Sequence, residues 1–269
     1  MNLKITFIGA GNMASSLAGG IIAKGIDPIN VTMTDINEGQ LKAARSELQV
    51  NTTRDNVSAC QKADVVVLAV KPQVMETVLS PLKSVLSQRK ALIISIAAGI
   101  TLGQLEHWLG ADMPIVRCMP NTPALVEAGA TGLYANTNVD PGQREQAKTI
   151  MNSVGLAIWV DNEDQIDAVT AVSGSGPAYF FLVMEAMIEA GKELGLSEPV
   201  AKQLTLQTAL GSAQMAITSD EDAAELRRRV TSPGGTTEAA INIMENTQLR
   251  AIFMDALRGA YDRSKELAG

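Results

Sequence analysis

The sequence predicts an α/β protein: an N-terminal doubly wound parallel sheet followed by an all-helical C-terminal domain. Three observations carry that prediction. Short apolar, β-branched runs alternate with helical patterns through the first 160 residues, the first run passes directly into a glycine turn, and no further β-branched strand follows Asp164. Strands that alternate with helices specify a parallel sheet with right-handed crossovers. A helical remainder must then bury its apolar faces elsewhere.

Taken in order, Lys4-Ile5-Thr6-Phe7-Ile8 is a strand that runs into Gly9-Ala10-Gly11-Asn12-Met13-Ala14 and a helix over about 14–24. Gly9 permits a tight turn, Gly11 lets the backbone approach a pyrophosphate without a Cβ, and small Ala14 allows close helix-on-strand packing. The helix N-terminus, with its unpaired N–H groups, favours an anion. A second strand spans 30–34 and closes at Asp35, and Leu41, Ala44 and Leu48 mark one face of the next helix. The run from Asp64 to Val70 is apolar throughout, as expected of a strand buried on both faces, and Lys71-Pro72 ends it. Leu92–Ile96 repeats the pattern and stops at Ala97-Ala98-Gly99. Pro114–Met119 repeats it again before Pro120-Asn121-Thr122-Pro123. One more helix over 141–153 and a strand over 157–160 complete this domain, which places a boundary near 161: residues 1–160 as a dinucleotide-binding domain, 161–269 as a helical one. Ligands bind outside the carboxyl ends of such strands, so the strand-end segments line one crevice.

Beyond the boundary, Gly, Pro and Ser signals near 173–177, 195–199, 218–220 and 232–235 separate helices. The helix from Pro177 carries Phe180, Phe181, Val183, Met184, Met187 and Ile188, apolar on more than one stripe. A helix of that kind needs burial on several sides, which a second subunit supplies.

Composition narrows the partners. A net charge of −7 disfavours affinity for nucleic acid or anionic lipid, and aromatics at 3% leave few stacking platforms. Cys60 and Cys118 are far apart without paired histidines, so neither a disulfide framework nor a metal site is expected. The best apolar run, Ala91–Ile100, is shorter than the ~18 residues of a membrane span. A cytoplasmic protein acting on a small molecule is the expectation.

A second loop with chemical content is Val230-Thr231-Ser232-Pro233-Gly234-Gly235-Thr236-Thr237, which leads into a helical pattern from Glu238. Two glycines bring main-chain N–H groups close to a ligand and Ser232, Thr236 and Thr237 add hydroxyls, a combination suited to a small carboxylate. No lysine follows the glycines, which excludes a Walker-type loop. The plain alternative is that Thr236 or Thr237 caps the helix.

This loop, together with Met119-Pro120-Asn121-Thr122-Pro123, Ala69-Val70-Lys71-Pro72, Ala97-Ala98-Gly99 and Val172-Ser173-Gly174-Ser175-Gly176-Pro177-Ala178-Tyr179, resembles the pyrroline-5-carboxylate reductase family over essentially the whole chain. The resemblance implies a Rossmann-like domain, an all-α dimerisation domain of interleaved helices and assembly into dimers or a decamer of five dimers. It also implies reduction of (S)-1-pyrroline-5-carboxylate to L-proline by NADPH or NADH. Thr237 is then the catalytic residue, hydrogen-bonded to the ring nitrogen, while Ser232, Gly234, Gly235 and Thr236 hold the carboxylate. Glu163, just before the second domain, is a further candidate to reach the ring nitrogen from the partner subunit. Ile8, Gly9, Gly11, Asn12 and Met13 would hold the pyrophosphate end of the cofactor and Asn56 the adenosine ribose. Ala69, Val70, Lys71, Pro72, Ala98, Gly99 and Asn121 would hold the nicotinamide.

Asp35, about 20 residues beyond the glycines, is placed to accept from a ribose 2′-hydroxyl and to repel a 2′-phosphate, which leans the cofactor toward NADH. His107, the single histidine, sits in a helix between strands and not at a strand end, which removes dehydrogenases that depend on a crevice histidine. Lys71 is expected to contribute its backbone, Tyr179 to pack in the core, and Arg227–Arg229 to form a solvated face, with Arg229 a secondary candidate near the carboxylate. A β-hydroxyacid dehydrogenase needs a lysine soon after Gly176, but none occurs before Lys192. A cofactor sensor without turnover would have no use for the Ser232–Thr237 loop.

Overall fold

The computed structural model describes residues 3–268. Eight strands, β1 (Ile5–Ile8), β2 (Val31–Thr34), β3 (Asn51–Thr53), β4 (Val65–Leu68), β5 (Leu92–Ser95), β6 (Ile115–Met119), β7 (Gly129–Ala135) and β8 (Gly155–Trp159), form one sheet in the order β3-β2-β1-β4-β5-β6-β7-β8. The helices between them are α1 (Asn12–Ala23), α2 (Glu38–Leu48), α3 (Asn56–Cys60), α4 (Met75–Leu79), α5 (Lys83–Arg89), α6 (Leu102–Leu109) and α7 (Pro141–Asn152). Alternate strand residues face opposite layers. Ile5, Phe7, Val65, Val67, Leu92 and Ile94 join Leu17 and Leu41 in one core, while Val66, Leu68 and Ile93 join Leu79, Leu86 and Leu105 in the other. Burial on both faces is why these strands read as unbroken apolar runs.

Strands β1 to β6 are parallel, as expected, but β6 and β7 pair antiparallel and β8 follows β7 in the reversed direction. The connection from Met119 to Gly129 is too short for a crossover helix, so the chain doubles back. The sequence reading did not include β7 because Gly129-Ala130-Thr131-Gly132 lacks a β-branched run. Its glycines serve packing: a Cβ on Gly132 would lie 2.6 Å from Val169 Cγ2, and one on Gly129 3.0 Å from Ala124 Cα.

Beyond the sheet the chain is helical: α8 (Gln165–Val169), a π-helical turn (Thr170–Gly174), α9 (Gly176–Glu193), α10 (Glu198–Thr218), α11 (Ala223–Arg229), α12 (Thr236–Asn246) and α13 (Leu249–Ala268). Residues 173–177 were expected to separate helices. Instead the π turn carries the helical path through them, with the Ser175 N–H donating to Thr170 O at 2.8 Å. Gly174 packs here against the movable end of Met119, whose Cε would lie 2.7 Å from a Cβ at this position. Two compact units result, one of Met1–Ser175 with Ala260–Gly269 and one of Gly176–Gly259. By contacts, α8, the π turn and the end of α13 group with the sheet, and the remaining helices form the second unit.

Candidate functional site

In the first unit, the carboxyl ends of the six parallel strands present the predicted residues in spatial order: Asn56 after β3, Asp35 after β2, Gly9–Met13 after β1, Ala69–Pro72 after β4, Ala98 and Gly99 after β5, and Asn121 after β6. At roughly 4.8 Å per strand this row spans about 24 Å, room for both halves of a dinucleotide. The winding reverses between β1 and β4, where the crevice of such a sheet opens.

The two glycines of the turn differ in what requires them. Gly9 has φ +106°, and a Cβ on it would lie 2.6 Å from Ala69 O, so the fold itself demands glycine there. Gly11 has φ −76°, open to any residue, and its Cβ would meet nothing within 4 Å. No side chain caps α1, whose first turn starts at Gly11. Space and uncapped N–H groups at one helix start suit an anionic diphosphate. Asp35 is half-buried and fixed beside this turn: its Oδ2 accepts from the Ala10 N–H at 2.9 Å and its Oδ1 from the Asn37 N–H at 2.8 Å.

After β4, Lys71 precedes the turn at Pro72–Val74 and its side chain is exposed. Asn121 lies at the end of β6, yet its amide is used internally: Nδ2 donates to Ser173 O at 3.0 Å and Oδ1 accepts from the Ala130 N–H at 2.9 Å. Glu163 is likewise engaged. Its Oε1 accepts from Arg117 Nη1 and from the Leu102 N–H, both at 2.8 Å. Through Oε1, Glu163 neutralises a buried arginine and anchors the start of α6. His107 is exposed in the last turn of α6, away from the strand ends.

In the second unit, Gly234 has φ +70° and the Gly235 N–H closes a turn onto Ser232 O at 3.0 Å. Gly235 is the N-cap of α12, no side chain caps this helix, and Thr236 and Thr237 occupy its first two positions. The alternative of a threonine cap is therefore overturned. Ser232 and Thr236 are exposed and Thr237 is half-buried, beside uncapped backbone N–H groups. Glu238 Oε2 accepts from the Gly234 N–H at 2.7 Å and stiffens the loop. The arginines pair on the surface as expected: Arg227 with Glu245, Arg228 with Glu225, and Arg229 with Glu221 and Glu225. Arg229 is thus held by carboxylates. Hydrogen bonds from Arg228 and Arg229 keep the Glu225 carboxyl below its ordinary range.

Sequence reasoning missed the buried cluster of Arg117, Asp167 and Ser264, which are 3%, 6% and 5% exposed. The signal was present: Arg117 is a charge inside the apolar strand Ile115-Val116-Arg117-Cys118-Met119. A buried arginine requires carboxylate partners. The Tyr179 hydroxyl is buried without a hydrogen-bond partner among the described residues.

A strand-end crevice with a glycine turn, combined with a helical unit bearing its own glycine loop, defines a nicotinamide-dependent oxidoreductase of two-domain type. Residues 4–99 match the family described as NADP oxidoreductase coenzyme F420-dependent, and residues 163–267 match pyrroline-5-carboxylate reductase dimerisation. The chain is 54% identical to the pyrroline-5-carboxylate reductase of Pseudomonas aeruginosa, over 98% of this chain and 97% of that one. Its fold is similar to a pyrroline-5-carboxylate reductase structure from Coxiella burnetii, with TM-score 0.97, 49% identity and 100% of both chains covered. It is also similar to the Plasmodium falciparum pyrroline carboxylate reductase with NADP bound, with TM-score 0.87, 34% identity and coverage of 100% and 99%. The chain belongs to the pyrroline-5-carboxylate reductase family.

Proposed function

We propose that this protein reduces (S)-1-pyrroline-5-carboxylate to L-proline, the last step of proline biosynthesis, as a cytoplasmic homodimer that can assemble further as five dimers. The observation that carries the site assignment is the uncapped start of α12, where neither threonine is used as a cap. The uncapped backbone N–H groups at the start of α12, from Thr236 onward, with the Ser232 hydroxyl, hold the substrate carboxylate, while Gly234 and Gly235 shape the loop that brings it there. Thr237 donates a hydrogen bond to the ring nitrogen. A cyclic imine accepts hydride well as the iminium, so a donor at nitrogen favours the reactive form. A threonine hydroxyl is too weak an acid to supply the proton itself, which comes from solvent, and the role of Thr237 is orientation.

Reduced nicotinamide supplies the hydride when bound. Gly9, Gly11, Asn12 and Met13 hold the diphosphate over α1, Asn56 lies toward the adenosine, and the backbone of Ala69–Pro72 with Ala98 and Gly99 fixes the other half. Asp35, held at the glycine turn, accepts from a ribose 2′-hydroxyl and disfavours a 2′-phosphate, so NADH is the better substrate although a relative was crystallised with NADP.

The test is to mix purified protein with 1-pyrroline-5-carboxylate and NADH or NADPH in turn, following loss of reduced-cofactor absorbance and formation of proline. Imine-dependent oxidation with equal proline is expected. Cofactor binding without turnover would overturn the reaction, and a strong NADPH preference in kcat/KM would overturn the role of Asp35.

A further inference from the structure

We propose that the C-terminal segment Ala260–Ala268 positions the β5–α6 loop, so that Ser264 and Asp167 set how firmly the nicotinamide half of the cofactor is held. The inference rests on the reading above that Ala98 and Gly99 lie on the nicotinamide side.

The loop between β5 and α6 is held from two directions. On one side lies the end of α13. Gly99 takes φ +74°, and a Cβ on it would lie 3.1 Å from Leu267 O, so the turn passes directly against that backbone. Gln104 ties the same parts together: its Oε1 accepts from the Thr101 N–H at 2.9 Å, and its Nε2 reaches Ala268 O at 3.5 Å. On the other side, the Leu102 N–H at the start of α6 donates to Glu163 Oε1 at 2.8 Å.

These two anchors are joined through buried groups. Glu163 pairs with Arg117 at 2.8 Å, Arg117 Nη2 lies 3.9 Å from Asp167 Oδ1, and that oxygen accepts from Ser264 Oγ at 2.6 Å. One helical turn separates Ser264 from Leu267, which closes the circuit on Gly99. The links at 3.5 Å and 3.9 Å are weak alone. Arranged as a ring around one short loop, the links leave it few alternative positions, while Ala98 at its apex stays exposed. Orientation at a hydride-transfer site tolerates little displacement, since a misplacement of about 1 Å costs about 100-fold in rate. Ser264, Asp167, Arg117 and Glu163 are positioning residues, acting through the loop.

The experiment compares Ser264→Ala, Ser264→Thr and a chain ending at Ser264 with the unaltered protein. Binding of the preferred reduced dinucleotide is measured beside binding of ADP, which carries adenosine and diphosphate but no nicotinamide. Ser264→Ala and the shortened chain should weaken dinucleotide binding and raise its KM by about tenfold, with a fall in kcat, while ADP binds within about twofold of the original. Ser264→Thr, which keeps the hydroxyl, should restore most of the loss. Dinucleotide binding and KM unchanged in both altered forms would overturn the proposal. So would a parallel loss of ADP binding, which marks general damage to the fold. The comparison of the two ligands needs no turnover. If the unaltered protein binds cofactor but reduces no imine, the proposed reaction fails and the positioning inference is still decided.

Discussion

Replacement of Gly11 by alanine separates a residue kept for the fold from one kept for a ligand. At φ −76° and ψ 179° alanine is fully allowed, and its methyl group would meet no protein atom within 4 Å. Alanine is a poorer N-cap than glycine by about 0.5–1 kcal/mol. Restriction of the unfolded chain returns about 0.4–1 kcal/mol, so the stability of Gly11→Ala without cofactor should be nearly unchanged. Cofactor binding should not be. A methyl group in front of the α1 N–H groups keeps the diphosphate at a distance, and loss of one charge-assisted hydrogen bond costs about 1.5–3 kcal/mol, or roughly 10- to 100-fold in affinity. The assay is a thermal melt with and without cofactor. At 100 times Kd a ligand stabilises by about 2.7 kcal/mol, which for a chain of this size raises Tm by about 5–10 °C. A tenfold weaker affinity halves that shift at the same concentration, while the melt without ligand stays put. Equal cofactor-induced shifts in Gly11→Ala and the unaltered protein would refute placement of the diphosphate over α1. As a control, Gly9→Ala, which drives a Cβ to 2.6 Å from Ala69 O at positive φ, should unfold or fail to express.

Thr237→Ala should lower kcat by about 10- to 100-fold with the cofactor Kd unchanged and no loss of Tm, because the residue caps nothing; steady-state kinetics beside a melt reads both. Asp35→Ser should shift the kcat/KM ratio toward NADPH by about tenfold or more, and an unmoved ratio would remove Asp35 from cofactor choice. Burial raises both thiols, Cys60 to about 12 from 9.0 and Cys118 still further. The sign follows: the folded thiols hold their protons more tightly than the unfolded ones, so this contribution to stability is complete below about pH 9 and is lost progressively above it. A thiol-reactive reagent at pH 8 should therefore label native protein at neither cysteine and denatured protein at both. Phe181→Glu, in a helix face 62% exposed at that position, should shift the protein to monomer in sedimentation.

The legibility of the sequence varied with how directly a physical constraint writes itself into residue type. Strands β1, β4, β5 and β6 were readable because burial on two faces leaves only apolar choices, Gly9 because its turn against Ala69 has no room for a Cβ, and Gly11 because of its place in the strand-turn-helix pattern. β7 was not readable. Its glycines answer to Val169 and Val154, neighbours distant in sequence, so they imitate a loop. The π turn was hidden for a related reason, since Gly174 meets Met119 and Ser173 bonds to Val169 O and Asn121. At the site, positions along the strand ends were legible but internal duties were not: Asn121 and Glu163 each have a polar side chain whose partners come from other elements.

The second unit completes the argument about what this chain must be. Phe180, Phe181 and Leu182 of α9 are 69%, 62% and 65% exposed, and α10 and α13 expose Leu204, Leu210, Ile252 and Met254 as well. Full burial of such side chains is worth about 1.5–3 kcal/mol each, so a lone chain would leave much of its stabilisation unrealised. The helical stretch Gln165–Glu193 is long and apolar enough by length and composition to cross a membrane, yet it carries Asp167, Glu185, Glu189, Lys192 and Glu193. Charges of that kind cost about 2.5–3.5 kcal/mol each at a bilayer centre. Here Asp167 is buried against Arg117 and Ser264, while Glu185, Glu189 and Glu193 lie in water beside an apolar stripe. Such a stripe, lying within residues that match a dimerisation family, is satisfied by a second copy of the chain. The loop bearing Thr237 opens α12 in the same helical unit, so if that loop recognises the substrate as proposed, dilution below the dimer dissociation constant should lower stability and activity together.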